Sequence, residues 1–239
     1  MQKIAKAGAV LMALSLAGAA SAQTMVDITQ PGTTLADVIG RQFQVGDKIF
    51  TMGSNAFLSD QFNASQIFIS AVINADPMTG MGFRLTGAFN DLNPGDADPS
   101  GFMLSYTVNV SPEFAAQGYR ITEGQLRFNG SASGAGSFAR VDETMRAAGD
   151  MLIGTGHVEA SAAGPNTYEH RFTPSEALTQ ISVVKDVRFF ANGLGGTSTA
   201  SFVDQAFGQT VVMNVIPLPG TAGLGLAGLG VVALRRRRR

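Results

Sequence analysis

Phe102-Met103-Leu104-Ser105-Tyr106-Thr107-Val108-Asn109-Val110 is the stretch that decides the fold class. Successive side chains of an extended backbone point to opposite sides, so Phe102, Leu104, Tyr106, Val108 and Val110 share one face. Ser105, Thr107 and Asn109 fall on the other. A strand with one greasy and one hydroxyl-rich face belongs to an antiparallel sheet with one side on a core and the other in water.

Working outward, similar short runs recur at Gln42 to Thr51, Gln66 to Ile73, Gly82 to Phe89, Tyr119 to Phe128, Ser137 to Val141, Met151 to Glu159, Thr167 to Phe172, Gln180 to Phe190 and Thr199 to Val203. Turn-forming clusters separate most of them, among them Asn74-Ala75-Asp76-Pro77, Asn93-Pro94-Gly95-Asp96 and Asn192-Gly193-Leu194-Gly195-Gly196. Many short strands with Gly-rich turns predict an all-β fold, an antiparallel β-sandwich of jelly-roll-like or Ig-like type. Thr34 to Ile39 reads as a short helix, and no 20 to 50 residue repeat points to a solenoid or propeller.

Both ends of the 239-residue chain read as targeting segments rather than fold. Lys3 and Lys6 precede an apolar run from Ala7 to Ala17, and Ala20-Ser21-Ala22 offers signal peptidase its small-residue pattern before Gln23. Residues 1–22 are therefore expected to be a removed signal peptide, with cleavage set by Ala20, Ala22 and Gln23. The sandwich body is expected over residues 23–215.

At the other end, Gln205 to Leu234 contains no charged residue, and Gly220 to Leu234 is almost entirely Gly, Ala, Leu and Val before Arg235, Arg236, Arg237, Arg238 and Arg239. A helix from Pro219 would be about 24 Å long at ~1.5 Å per residue, short of a ~30 Å hydrocarbon core. Cationic flanks stay cytoplasmic, so the arginines act as a stop on the inner side. Pro217 and Pro219 cannot continue the helix outward and leave an extended, protease-accessible stretch. The geometry suits a temporary membrane address.

Ile216-Pro217-Leu218-Pro219-Gly220, a short Gly/Leu-rich span and an arginine run together resemble the PEP-CTERM class of sorting signals, in its V-P-L-P-A variant. Ile216 stands for Val and Gly220 for Ala. The resemblance implies recognition by an exosortase, a membrane-embedded cysteine protease-transpeptidase of Gram-negative bacteria that make extracellular polysaccharide. Residues 216–239 are then the sorting signal. Signal peptidase, exosortase and, transiently, the inner membrane are partners on the way to the cell surface or beyond. Gly46-Asp47-Lys48-Ile49-Phe50, Leu104-Ser105-Tyr106-Thr107-Val108 and Val141-Asp142-Glu143-Thr144 also resemble a body domain common among such proteins.

Two other readings use the same residues. Leu218-Pro219-Gly220-Thr221-Ala222 approximates the L-P-x-T-G signal of cell-wall sortases, but leaves only Gly223 to Leu234 as a span. Gly223-x-Gly225-x-x-Gly228 satisfies the dinucleotide fingerprint, but no βαβ unit follows it.

Of 17 Lys plus Arg, seven lie in the two targeting segments, so the body carries a net charge near −8. Such a surface disfavours nucleic acid, whose phosphates need clustered cations. The absence of cysteine removes thiol catalysis, Cys-ligated zinc and disulfide stapling.

Candidate chemistry is sparse. His157 and His170, near Glu159 and Glu169, would make a metal or acid–base site only if their strands brought them together. Ser182-Val183-Val184-Lys185 has S-x-x-K spacing, but in a strand its ends face apart. The same alternation separates Asp142 from Glu143, which weakens a glycosidase pair there. Asp91, Asn93, Asp96 and Asp98 gather oxygen ligands in one loop, as Ca²⁺ requires, although Asp/Asn/Gly sequences also simply build hairpin loops. No other cofactor is expected.

These features predict a non-enzymatic surface or matrix protein associated with exopolysaccharide or biofilm. The alternative is a secreted carbohydrate-binding or carbohydrate-active sandwich. With no Trp, with only Tyr106, Tyr119 and Tyr168, and with Phe expected in the core, the aromatic platform such a protein needs is not evident in the sequence.

Overall fold

The structure, a computed structural model, describes residues 25–59, 62–73, 80–91, 95–193 and 195–212. Residues 1–22 and 216–239, expected to be targeting segments, lie outside the described residues, and so does Asn93. Among the described residues no helix is long and apolar enough to cross a membrane.

The strands in chain order are β1 (Met25–Val26), β2 (Gln42–Val45), β3 (Lys48–Met52), β4 (Phe57–Leu58), β5 (Phe68–Ile73), β6 (Met81–Asn90), β7 (Ser100–Val110), β8 (Tyr119–Phe128), β9 (Ser131–Ser133), β10 (Phe138–Arg146), β11 (Leu152–Ser161), β12 (Glu169–Phe172), β13 (Gln180–Phe190) and β14 (Thr197–Val211). Two short helices, α1 (Leu35–Val38) and α2 (Pro112–Ala116), complete the regular structure beside brief 3₁₀ turns. Thr34 closes a capping box with Asp37 at the start of α1, where the sequence predicts a helix.

The strands form two sheets. One has eight strands in the order β1-β2-β3-β7-β13-β10-β11 with β4 also on β7; the other has six, β12-β8-β14-β6-β5 with β9 also on β14. Among the described residues only the β1–β2 pair is parallel. The expected all-β sandwich is therefore observed, and the chain changes sheet at β4–β5, β6–β7, β7–β8, β9–β10, β11–β12, β12–β13 and β13–β14.

The alternation in β7 holds: Phe102, Leu104, Tyr106, Val108 and Val110 are buried and Met103 is 42% exposed. The run Gln42 to Thr51, read from sequence as one strand, is instead the hairpin β2–β3. Gly46, at φ +57, supplies the left-handed backbone that a two-residue turn at Gly46-Asp47 requires. Strand β14 reaches Val211, far beyond the expected Val203. It is central in its sheet, so Val203 to Gly208 are all buried and the alternating signal vanishes.

Aromatic rings join the sheets at two places. Phe43 stacks on Phe50 at 5.0 Å, and Phe83 meets Phe50 edge-on at 5.4 Å. Further along, Phe89 lies 5.5 Å from Phe102 and 6.0 Å from Phe189. At Gly82 the partner backbone approaches so closely that a Cβ would sit 1.7 Å from the Gln205 carbonyl oxygen.

Two lysines are wholly enclosed, which is rare unless the charge is paired. Lys48 holds Asp47 at 2.7 Å and also donates to the Gln209 side-chain oxygen Oε1. Lys185 bonds Glu143 and donates to Gln205 Oε1 at 2.9 Å.

Candidate functional site

The outer face of the eight-stranded sheet carries the most varied chemistry among the described residues. Register across β7, β13, β10 and β11 aligns Met103, Asp186, Asp142 and His157 in one row. The next row holds Gly101, Arg188, Arg140 and Glu159. Like charges thus stand opposite across β10 and β13, and ion pairs form along each strand instead. Arg188 bonds Asp186, and Arg140 lies 3.2 Å from Asp142. His157 Nδ1 meets Asp142 at 2.7 Å, and its Nε2 lies 3.6 Å from Glu159.

A groove adjoins this lattice because one edge of β7 is shared. Strand β3 covers Tyr106 to Val110, and β4 covers only Phe102 and Met103. Between them the chain lifts away, held by the Gly53 N–H donating to the Ser105 carbonyl at 2.7 Å. Three adjoining depressions follow β7 and β13, of 230, 430 and 300 Å³. The first is flanked by Ser59, Asp186 and Arg188, the second by Asn55, Ser105 and Val184, the third by Thr51, Thr107 and Ser182. Phe57 and Met103 line both of the first two. Phe57 at 67%, Met103 at 42% and Val184 at 41% exposure form a contiguous apolar patch along the groove, the kind of surface that marks a binding site. From Gly101 to Thr107 the groove runs about 20 Å at ~3.3 Å per residue.

A larger cleft of 540 Å³ lies between Phe62 and Phe68 and the outer part of β6. None of its lining residues is charged. Asn63, its most directional polar group, accepts from the Ser65 N–H at 3.0 Å and so caps its own turn. The groove over β7 and β13 is the better equipped surface.

The residues singled out from sequence fall apart in space. His157 points outward from the eight-stranded sheet, whereas His170 is half-buried in the other sheet, across from Gly156 on the inner side. Asp142 faces out and Glu143 in, as alternation requires. Ser182 is exposed and Lys185 enclosed, so the S-x-x-K spacing makes no dyad. Among the described residues no three His, Cys, Asp or Glu side chains gather as a metal would need.

In the acidic loop, Asp91 is 7% exposed and accepts from the Ser100 hydroxyl at 2.8 Å and the Ala191 N–H at 2.7 Å. Asp96 accepts from the Asp98 N–H at 3.1 Å, and both are exposed. Asp91 thus ties β6, β7 and the end of β13 together. Asp91→Ala is expected to lower the unfolding free energy by ~1–3 kcal/mol through the stranded Ser100 and Ala191 donors, measured by urea denaturation with and without added calcium.

Phe57, Asp186 and Arg188 were missed because nothing periodic surrounds Phe57, and an outward Asp or Arg on a strand reads as ordinary solvation. The expectation that Phe belongs in the core fails at Phe57 and at Phe68, which is 48% exposed.

No protein-family model matches the chain, and no curated protein matches it. Among solved structures it is similar over 75% of its length, at 10% identity and a TM-score of 0.29, to TmCBM61 in complex with beta-1,4-galactotriose, covering 99% of that chain. It is similar over 74%, at 12% identity and a TM-score of 0.28, to arabinose-bound MgGH51 α-L-arabinofuranosidase, covering 25% of that chain. A third likeness, over 65% at 12% identity and a TM-score of 0.23, is to CsCBM6-3 from Clostridium stercorarium in complex with cellobiose, covering 94% of that chain. TM-scores this low give these likenesses no weight for function.

Proposed function

We propose that the chain is an exported, non-catalytic protein whose jelly-roll-like sandwich binds extracellular polysaccharide in the groove over β7 and β13. The observation that carries this reading is the exposed Phe57 ring beside a trough edged by Ser59, Asp186 and Arg188. A sugar ring offers an apolar C–H face and a rim of hydroxyls, so its site needs a flat apolar surface with donors and acceptors around it. Phe57 and Met103 supply the first; Arg188, Asp186, Asn55 and Ser105 supply the second.

A glycosidase would need one carboxylic acid holding a proton beside a second carboxylate. Asp142 and Asp186 stand opposite each other on this face, and each spends acceptor capacity on an arginine. That favours hydrogen bonding to hydroxyls over proton donation, and supports binding without turnover.

The expected result in calorimetric titration with soluble polysaccharides is saturable binding to at least one of them. Phe57→Ala should weaken it by ~1–2 kcal/mol, five- to thirtyfold, the usual cost of truncating an aromatic anchor. Binding that is unchanged by Phe57→Ala, or missing across neutral and acidic polysaccharides alike, would defeat the reading.

The signal-like N-terminus and the Pro-Leu-Pro, apolar and arginine segments support delivery by signal peptidase and an exosortase-like enzyme. Mass spectrometry of the mature protein from its host should find Gln23 as the first residue and no peptide containing Arg235 to Arg239. A mature form that keeps those arginines would sink the sorting proposal.

A further inference from the structure

The body contains only two lysines, Lys48 and Lys185, against eight arginines, and both lysines are wholly buried. An ammonium is the costlier cation to desolvate, so its placement in the core, with guanidinium groups kept at the surface, calls for a chemical reason.

At Lys185 three reactive groups meet between the sheets. The amine on β13 bonds Glu143 on β10 and reaches Gln205 Oε1 on β14 at 2.9 Å. Lys185 is 0%, Gln205 1% and Glu143 3% exposed. Gln205 Nε2 is buried with no hydrogen-bond partner, and so is the nearby Tyr106 hydroxyl. An orphaned amide donor beside a buried amine is destabilising as it stands.

We propose that Lys185 and Gln205 react autocatalytically to form an intramolecular isopeptide bond that joins the two sheets, with Glu143 as the acid–base group. The uncharged amine adds its lone pair to Gln205 Cδ, forming the C–N bond while Oε1 takes up the negative charge. Glu143 accepts one proton from the lysine nitrogen and returns it to Nε2 as the Cδ–Nε2 bond breaks. Ammonia leaves, and Lys–NH₂ plus the carboxamide become Lys–NH–CO and NH₃, with no oxidant or co-reactant.

Several features favour this course. Burial pushes the Lys185 ammonium towards its neutral, nucleophilic form, against the pull of Glu143. The carboxamide has a neutral leaving group, whereas an ionised carboxylate is a poor acyl donor. The product also removes the buried ammonium and the unsatisfied Nε2 donor together. Lys48 meets Asp47 and Gln209 in a similar way, but Gln209 is half-buried and water competes there. The enclosed site is the one set up to react.

Protease mapping of the full-length chain under denaturing conditions tests the proposal without any variant. The expected result is a branched species linking the Lys185 and Gln205 peptides, lighter than their sum by one ammonia, with trypsin unable to cut after Lys185. Linear peptides with a free Lys185 and an intact Gln205 would overturn the proposal, as would a Lys185–Glu143 amide formed with loss of water. Lys185→Arg keeps the charge but not the nucleophile, and Glu143→Gln removes the proton acceptor. Both should return unbranched peptides, and a bond that survives Glu143→Gln would overturn the role given to Glu143.

Discussion

Lys185→Met is expected to have an unfolding free energy ~3–5 kcal/mol below that of Lys185→Arg, which keeps the cation but forms no isopeptide bond, because it leaves Glu143 buried without its cation. Glu143 is 3% exposed at the middle of the sandwich, so it must either stay charged in a poor solvent or take up a proton. Both routes cost stability. The paired change Lys185→Met with Glu143→Leu removes the stranded charge along with its partner and should recover most of the loss. Against the parent, which carries the isopeptide bond, recovery stops short. The bond closes a loop between residues 20 positions apart, and a cross-link over a loop of that size constrains the unfolded chain by ~3 kcal/mol. Urea denaturation of the single and double variants separates the two contributions. A Lys185→Met variant as stable as Lys185→Arg would show that the ion pair adds nothing.

Phe50→Ala carries an effect of the same size by a different route. Phe50 is fully enclosed and touches rings from both sheets: Phe43 and Tyr106 on its own side, Phe83 and Phe207 across the gap. Its removal leaves a cavity walled by side chains from four other strands, which cannot collapse together without shifting sheet register. A loss of ~3–5 kcal/mol is expected, read as a lower denaturation midpoint with an unchanged slope. By contrast Phe57→Ala, at an exposed ring, should leave stability nearly untouched while weakening glycan binding. The two variants divide the phenylalanines into those that hold the sheets and the one offered to a ligand.

The strands were legible where one side meets water. Tyr119–Phe128 and Gln180–Phe190 have the bounds expected from their alternation, and Leu35–Val38 follows its capping box. Legibility failed where burial is two-sided or pairing is brief. The central strand β14 hides Asp204 and Gln205 among apolar neighbours, and so reads as no pattern at all. Strand β4 has two residues and exists only because β7 offers it an open edge. The groove depends on that short pairing, so its Phe57 wall could not be foreseen. The outward row of Met103, Asp186, Asp142 and His157 depends on registers among four strands, which no local stretch encodes.

What the sequence determined by itself was the class of architecture and the chemistry that is absent: alternation fixes which side of a strand is greasy, and composition excludes thiols and dense cationic patches. The targeting proposed for both ends rests on its charge and apolar length alone. Tertiary structure alone decided which residues meet. Lys185, Glu143 and Gln205 come from three strands, the last of them in the opposite sheet. Their encounter follows from sheet order and stacking, and distances between strands are set by long-range pairing, which leaves no trace in the order of neighbouring residues.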